Sequence, residues 1–136
     1  MILSSLGQAI LAFNLVCTGS SVTLHERKPK SGDFRLEKKR DLRPMSFVYR
    51  VDLDANRYCA DACAETQPIA SVTYGNIVFE DETDGWSGQP TYRKVSRESG
   101  EYYGRRERVA PGGAEHVIMI GACKRAPFTG FPKQEF

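Results

Sequence analysis

The sequence is poor in the residues from which catalytic and metal sites are usually built. It contains only two histidines, His25 and His116, and neither has a second ligand at the spacing of a metal-binding pair. There is no G-x-S-x-G motif to present a nucleophile, and no glycine-rich turn leads into a helix that could hold a phosphate. We therefore expect no catalytic residue, no metal and no cofactor.

Long hydrophobic runs and a strong net charge are also missing. The apolar stretch from Ala9 to Cys17 is too short to span a bilayer, so no membrane-spanning segment is expected. A net charge of +2 is too small to indicate a nucleic-acid partner. With 136 residues, of which 40% are hydrophobic and 26% charged, the chain can bury one ordinary core without help from a metal.

Positive charge is concentrated between Glu26 and Arg43, where eight basic residues accompany four acidic ones. Prolines and a glycine in and beside this window predict a loop. A charged loop usually serves only to keep the surface solvated. The alternative is that Arg27 to Arg43 makes a peripheral contact with an anionic partner, such as phosphate, lipid head groups or nucleic acid.

No segment has the apolar spacing of an amphipathic helix of three turns, whereas alternation with a period of two recurs. It is clearest in Ser46 to Leu53, where Phe47, Tyr49, Val51 and Leu53 share one face of a strand. Further short strands are predicted over residues 13–18, 20–24, 72–74, 77–79, 91–97, 101–109 and 114–124. The sequence predicts an all-β fold, a single small antiparallel meander, barrel or sandwich of about eight short strands.

Glycine-containing turns predict how the strands are connected. Gly19 would turn residues 13–18 back onto residues 20–24, and Gly75-Asn76 is a strong signal for a two-residue hairpin loop. Residues 98–100 form a three-residue connection in which Gly100 supplies the left-handed conformation.

Two polar or irregular segments have predicted surface positions. The polar strand over residues 101–109 is expected at an edge of the sheet or with one face fully solvated. We expect the tail, residues 126–136, to lie along the surface, held by Phe128 and Phe131.

Four cysteines, an even number, suit two disulfides. Cys17 lies in the first strand and Cys123 in the last, and these strands often become neighbours when an antiparallel sheet closes. Cys59 and Cys63 would then form a local bridge, because their C-x-x-x-C spacing fits neither a thioredoxin-type C-x-x-C site nor a zinc pair. Such pairing requires an oxidising compartment, and we predict a periplasmic or secreted protein.

The first twelve residues allow two interpretations. Residues 1–12 are either a poor or truncated export signal, with cleavage after Ala12, or a native N-terminal segment. The first charged residue is Glu26, so the basic start of an export signal is missing, but the cysteines favour export. Residues 13–136 are predicted to form a single β domain.

Aromatic and arginine residues cluster in the second half of the chain. Trp86, Tyr92, Tyr103 and Arg105 are the candidate interaction face, since aromatic and arginine side chains are enriched where proteins bind one another. Strand alternation places Tyr103 and Arg105 together, opposite Tyr102. The alternative is that these side chains only pair across strands and cover a solvated sheet face.

Several stretches together resemble a type of small bacterial exported protein of unknown function. They are YRVDLDANRYCADAC, a run of the form I-x-x-V-x-x-x-x-I-V-F, KVSRESGEY and GACKRAPFTGFP. The resemblance spans most of the chain. It implies a leading export segment and an all-β body, and it implies no particular activity.

We consider three functions. The first is a non-catalytic, disulfide-stabilised β domain that binds a protein partner or serves as an accessory subunit. The second is a lipocalin-like carrier, which requires an internal cavity for a small apolar ligand. The third is an enzyme, which would require a buried His116 within reach of a serine or an acid in a pocket.

Overall fold

The computed structural model describes residues 11–27, 37–82, 91–110 and 112–132. These residues form one antiparallel sheet of nine strands that curls into a half-barrel, and the described ranges contain no helix. The predicted all-β, antiparallel fold is confirmed. The strands are β1 (Ala12–Arg27), β2 (Glu37–Asp52), β3 (Arg57–Ala60), β4 (Gln67–Pro68), β5 (Ser71–Val72), β6 (Asn76–Glu82), β7 (Thr91–Ser96), β8 (Glu101–Ala110) and β9 (Gly113–Ala126).

The sheet is a meander whose first strand also pairs with its last. The order across the sheet is β4-β3-β2-β1-β9-β8-β7-β6-β5, so β1 lies between β2 and β9. The two outermost strands, β4 and β5, are joined in the chain by Ile69 and Ala70 but do not pair with each other. We call the opening between the β3–β4 side and the β5–β6 side the seam.

Side chains on the inner face of the half-barrel form the core. The alternation predicted for β2 is confirmed, since Tyr49 and Val51 are buried and Phe47 packs against the same cluster. The centre is aromatic, with Phe79 stacked on Tyr49 at 4.2 Å between ring centroids and Tyr102 beside them. The core consists of Phe13, Leu15, Cys17, Tyr49, Val51, Tyr58, Ile69, Ile77, Phe79, Val95, Tyr102, Val117, Met119 and Cys123.

Both predicted disulfides are present. Cys17 and Cys123 are directly opposite each other in the ladder between β1 and β9, with their Cα atoms 4.0 Å apart. The bridge links positions 106 residues apart in the chain, and it lies inside the core. Cys59 at β3 bonds to Cys63 four residues later.

The tail after β9 lies across the outer face of β1 and β2. The side-chain amide of Asn14 donates to Thr129 Oγ1 at 3.0 Å, and the Thr129 amide donates back to Asn14 Oδ1 at 3.3 Å. Arg50 donates to the carbonyl oxygen of Gly130, and the rings of Phe128 and Phe131 meet edge to face at 5.2 Å. The tail therefore buries Asn14, the only polar residue that is buried in the part of the chain with described side chains.

The predicted turn at Gly19 is wrong, because residues 12–27 form one continuous strand. Gly19 lies directly opposite Gly121 of β9, and the two backbones approach so closely that a Cβ on either residue would collide with the other strand. Glycine is required here for the close approach of two strands and not for a turn.

The charged window is not wholly a loop, which corrects a second prediction. Residues 37–43 belong to β2 and pair with residues 21–27 of β1, while residues 28–36 lie outside the described residues. Strand pairing continues here because it is made by hydrogen bonds between backbone groups. Charged side chains such as Arg40 and Arg43 can extend from either face of the sheet into solvent.

Two connections differ by one residue from the predictions. The loop between β5 and β6 is Tyr74-Gly75, because the Thr73 amide donates to the Asn76 carbonyl and closes the hairpin one residue earlier. Residues 97–100 connect β7 to β8, with Gly100 at φ 77° as expected.

Strand β8 is not at an edge, since it lies between β7 and β9. Its polar residues are tolerated there because Tyr102 and Gly104 face the core while Arg105, Arg106 and Arg108 reach solvent.

Candidate functional site

The predicted interaction residues Tyr92, Tyr103 and Arg105 are brought together on the outer face of the sheet. Tyr92 of β7 is directly opposite Arg105 of β8, and the ring centroids of Tyr92 and Tyr103 are 6.3 Å apart. Tyr103 and Arg105 share this face and Tyr102 points to the other, as alternation predicted. Trp86 lies outside the described residues.

Apolar side chains extend this surface across three more strands. The row of paired residues that contains Tyr92 and Arg105 continues across the sheet through Ile118 of β9, Val22 of β1 and Leu42 of β2. One row further along, Ile120 is directly opposite Tyr103. Leu42 is 64% exposed and Ile120 is 62% exposed. We call Tyr92, Tyr103, Arg105, Ile118, Ile120, Val22 and Leu42 the outer patch.

A shallow cleft of about 340 Å³ lies at one side of the outer patch. Lys94, Tyr103 and Ile120 contribute to its walls, and Glu101 lies at its rim. A cleft of this kind can accept one anchoring side chain of a partner, with aromatic, aliphatic and charged groups around it.

Sequence reasoning missed the apolar half of the outer patch. The signal was present in β9, where Ile118 and Ile120 alternate with Val117 and Met119, so that both faces of one strand are apolar. Val117 and Met119 supply the core, and the other two side chains are therefore left on the outside. A strand that is apolar on both faces is typical of a sheet that is covered on both sides.

A second group of polar side chains lies on the inner face, next to the seam. The hydroxyl groups of Tyr49 and Tyr102 are 3.1 Å apart, and the Tyr58 hydroxyl donates to Glu80 Oε1 at 3.3 Å. Arg93 Nε is 3.9 Å from Glu80 Oε2, and the guanidinium also lies within hydrogen-bonding reach of Tyr49. Arg93 Nε itself is buried and has no hydrogen-bond partner among the described residues.

Burial controls the ionisation of this inner cluster. It raises the pKa of Tyr49, Tyr58 and Tyr102 above the ordinary tyrosine value, and the charge of Glu80 adds to the effect. For Arg93, burial alone would lower the pKa, but the hydrogen bond with Tyr49 and the electrostatic interactions with Tyr102, Tyr49 and Glu80 outweigh it, and the pKa is raised. The cluster therefore holds three neutral phenols around one ion pair at neutral pH, and it links β2, β3, β6, β7 and β8.

Comparisons with protein-family models, curated proteins and solved structures give no match for this chain.

The two histidines lie on opposite faces of the long strands. His25 Nδ1 is 3.8 Å from Glu115, and His116 Nδ1 is 3.7 Å from Glu107 on the outer face. Each pair consists of a partly exposed histidine and one carboxylate. Within the described residues, no group of three or more His, Cys, Asp or Glu side chains is arranged to hold a metal ion.

The described ranges also contain no helix with the length and hydropathy needed to cross a bilayer. Of the basic window, the described side chains of Arg40 and Arg43 are exposed, and Arg43 pairs with Asp41 at 3.0 Å. An anionic contact through Arg27 to Arg43 remains a prediction.

Proposed function

We propose that this chain is a non-catalytic, disulfide-stabilised β domain that binds a protein partner through the outer patch. The observation that carries the proposal is the exposure of Ile120 and Leu42 in register with Tyr92, Tyr103 and Arg105. Apolar and aromatic side chains gathered on one exposed face, next to charged ones, are typical of sites where proteins associate.

The arrangement of charges supports a protein partner rather than a lipid surface. Arg105 and Lys94 lie within the patch and beside its cleft, while Glu107 and Glu101 lie along the same strand as Arg105. Charges of both signs around an apolar centre suit a second folded surface, because each charge can find a partner at the rim.

The packing of the interior counts against the carrier function. The described interior is occupied by the rings of Tyr49, Phe79 and Tyr102, which contact one another and Phe47. A lipocalin-like ligand would need the space that these rings fill.

The enzyme hypothesis gains no support from His116. Its imidazole lies on the outer face, is 33% exposed and has Nδ1 3.7 Å from Glu107, whereas the hypothesis required a buried histidine in a pocket.

Location outside the cytoplasm is part of the proposal. Two disulfides are typical of domains that mature in an oxidising compartment, which agrees with a periplasmic or secreted protein. Export through residues 1–12 stays a prediction, because residues 1–10 lie outside the described residues.

The proposal can be tested with one charge placed in the outer patch and the same charge placed elsewhere. Ile120→Asp puts a carboxylate at the centre of the patch. Tyr74→Asp puts one on a hairpin tip that is 98% exposed and belongs to strands at least three positions from β9. Both residues are exposed, so both variants should fold, which circular dichroism and urea unfolding would verify.

Immobilised native chain would first be used to isolate interacting proteins from extracts, with both variants in parallel. Each candidate would then be purified and its affinity measured by calorimetry. We expect Ile120→Asp to weaken binding by at least about tenfold, the size of effect seen when a central interface residue is altered. Tyr74→Asp should bind like the native chain. A partner that binds all three proteins equally would refute the role of the outer patch.

A further inference from the structure

The seam is a gap in the hydrogen-bonded sheet. On one side, β4 pairs with β3 only through Arg57 and Tyr58. On the other, β5 pairs with β6 only through Ile77 and Val78. Beyond these short ladders, no described strand pairs with the seam-facing edge of β3 at residues 59–60 or of β6 at residues 79–80. Two strand edges therefore face the same opening.

A groove of about 650 Å³ lies along this opening. Its floor is formed by Tyr58, Ile69 and Phe79, and the rings of Tyr58 and Phe79 are 4.9 Å apart. These three residues also belong to the core, so the groove lies directly over it. The disulfide between Cys59 and Cys63 forms part of the wall.

The groove is strongly acidic. Four carboxylates line it, those of Glu65, Glu80, Asp81 and Glu82, and no described lysine or arginine does. Glu80 lies 3.9 Å from Arg93, and Glu65 and Glu82 are exposed. The sequence shows the same asymmetry, because residues 58–92 contain six acidic residues and no Lys, Arg or His, so the rest of the chain carries +8.

We propose that the seam binds an extended, basic segment of a partner protein, which adds to the sheet as an extra strand. Strand edges supply backbone hydrogen bonds to such a segment, and alternate side chains then point to the floor and to the solvent. Apolar side chains of the segment would contact Ile69 and Phe79. Its lysine or arginine side chains would face Glu65 and Glu82, which are exposed at the rim.

Other occupants fit the groove less well. Phosphates, nucleic acids and anionic lipid surfaces would be repelled by the four carboxylates that line the groove. A second copy of the chain could offer its own basic window between Glu26 and Arg43. Such a head-to-tail contact would leave one seam and one basic end open on every dimer, which leads to open chains of molecules and not to a closed assembly.

The seam is separate from the outer patch. It lies between the two edges of the sheet, whereas the patch is centred on β9 and β1 in the middle of the sheet. The two surfaces can be tested separately, and a failure of one would leave the other unaffected.

The probe is a capped ten-residue peptide of alternating lysine and valine, with a matched peptide of alternating glutamate and valine. A third peptide replaces two central valines of the lysine peptide with proline, which removes backbone donors and disfavours a strand. Binding to the full chain would be measured by fluorescence anisotropy at low and high salt, and the binding site by amide hydrogen exchange.

Of the three peptides, we expect only the lysine peptide to bind. Its binding should slow the amide exchange of residues 58–60 and 78–80. Glu65→Gln combined with Glu82→Gln should weaken binding about three- to tenfold, because two partly solvated charge pairs are lost. Glu98→Gln combined with Asp54→Asn, which removes the same charge from exposed positions outside the groove and outside the outer patch, should leave binding unchanged.

Four results would overturn the proposal. In the first, the proline peptide binds as tightly as the lysine peptide, and in the second, both double variants lose the same amount of affinity. In the third, the peptide slows amide exchange only outside the seam. In the fourth, the lysine peptide does not bind even at low salt. Self-association of the chain without peptide, if Glu65→Gln with Glu82→Gln abolished it, would assign the seam to a second copy and would also overturn it.

Discussion

The hydroxyl groups of Tyr49 and Tyr102 lie 3.1 Å apart inside the half-barrel, where each residue is only 1% exposed. The two residues come from β2 and β8, strands that are separated in the sheet by β1 and β9. Their contact therefore spans the curvature of the sheet and ties its two halves together across the interior.

Removing one of these hydroxyls should destabilise the fold. In Tyr102→Phe, the hydroxyl of Tyr49 loses a partner in a place that water does not reach, and we expect the free energy of unfolding to fall by about 1–2 kcal/mol. Tyr103→Phe, one residue away on the outer face, should change it by less than about 0.5 kcal/mol. Urea unfolding of both variants would measure the difference, and equal effects would show that the interior contact contributes little.

The same buried phenols should make the protein sensitive to alkali. Burial raises the pKa of Tyr49, Tyr58 and Tyr102 above the value of 10.0 that the unfolded chain retains. Above pH 10.0 the unfolded state therefore loses protons that the folded state keeps. The contribution of these groups to stability is complete below pH 10.0 and declines as pH rises above it.

Urea unfolding at a series of pH values on both sides of 10.0 would measure this decline. Each buried tyrosine contributes a slope of at most about 1.4 kcal/mol per pH unit. Tyr58→Phe removes one of the three groups and should give a shallower decline than the native chain. A free energy of unfolding that stays constant above pH 10.0 would contradict the prediction.

The two disulfides should contribute unequally to stability. Cys17→Ala with Cys123→Ala opens a loop of about 100 residues, and the chain-entropy model gives a loss of about 4.7 kcal/mol. Cys59→Ala with Cys63→Ala opens a loop of only a few residues, for which the same model gives about 2 kcal/mol. Unfolding of both double variants under non-reducing conditions would rank them, and a larger loss from the short loop would reject the loop-entropy account.

The glycine pair in the middle of β1 and β9 gives a test of the strand pairing. Gly19→Ala places a methyl group against the backbone of Ile120, and we expect a loss of about 2–3 kcal/mol, because a backbone cannot move aside as a side chain can. Gly75→Ala is the matched control, since a Cβ there meets nothing within 4 Å and its φ is not positive. It should be neutral or slightly stabilising. If both variants had the same midpoint in urea, β1 would not run continuously past Gly19.

Much of the fold could be predicted from local patterns. Alternation in residues 46–53 gave the correct inner face for Phe47, Tyr49 and Val51, and the positions of Cys17 and Cys123 at the two ends of the chain gave the correct pairing. Both signals are local consequences of strand geometry and of sheet closure.

The errors came from interactions between distant segments. Nothing near Gly19 indicates that Gly121 will lie opposite it, so a glycine needed for a close approach could not be distinguished from one needed for a turn. The strand over residues 37–43 is similarly specified by its partner β1, because its own charged residues do not favour a sheet.

For the candidate site, the sequence indicated the polar and aromatic half of the surface and not the rest. Tyr92, Tyr103 and Arg105 are close in sequence, and alternation was enough to group them. Ile120 and Leu42 join them only through the pairing of β9 with β8 and of β2 with β1. The seam was invisible for the same reason, since its two edges come from segments about twenty residues apart whose approach depends on how far the sheet curls.

The position of β1 between β2 and β9 has a consequence for biosynthesis. On a chain that grows from its N-terminus, β2 is available soon after β1, whereas β9 is made about 100 residues after the start of β1. Until Cys123 has been made, Cys59 and Cys63 are the cysteines of this sequence with which Cys17 can form a disulfide. A nascent chain can therefore form non-native disulfides that are absent from the folded protein. Maturation should therefore depend on an isomerase or on delayed oxidation, and early oxidant should trap scrambled forms.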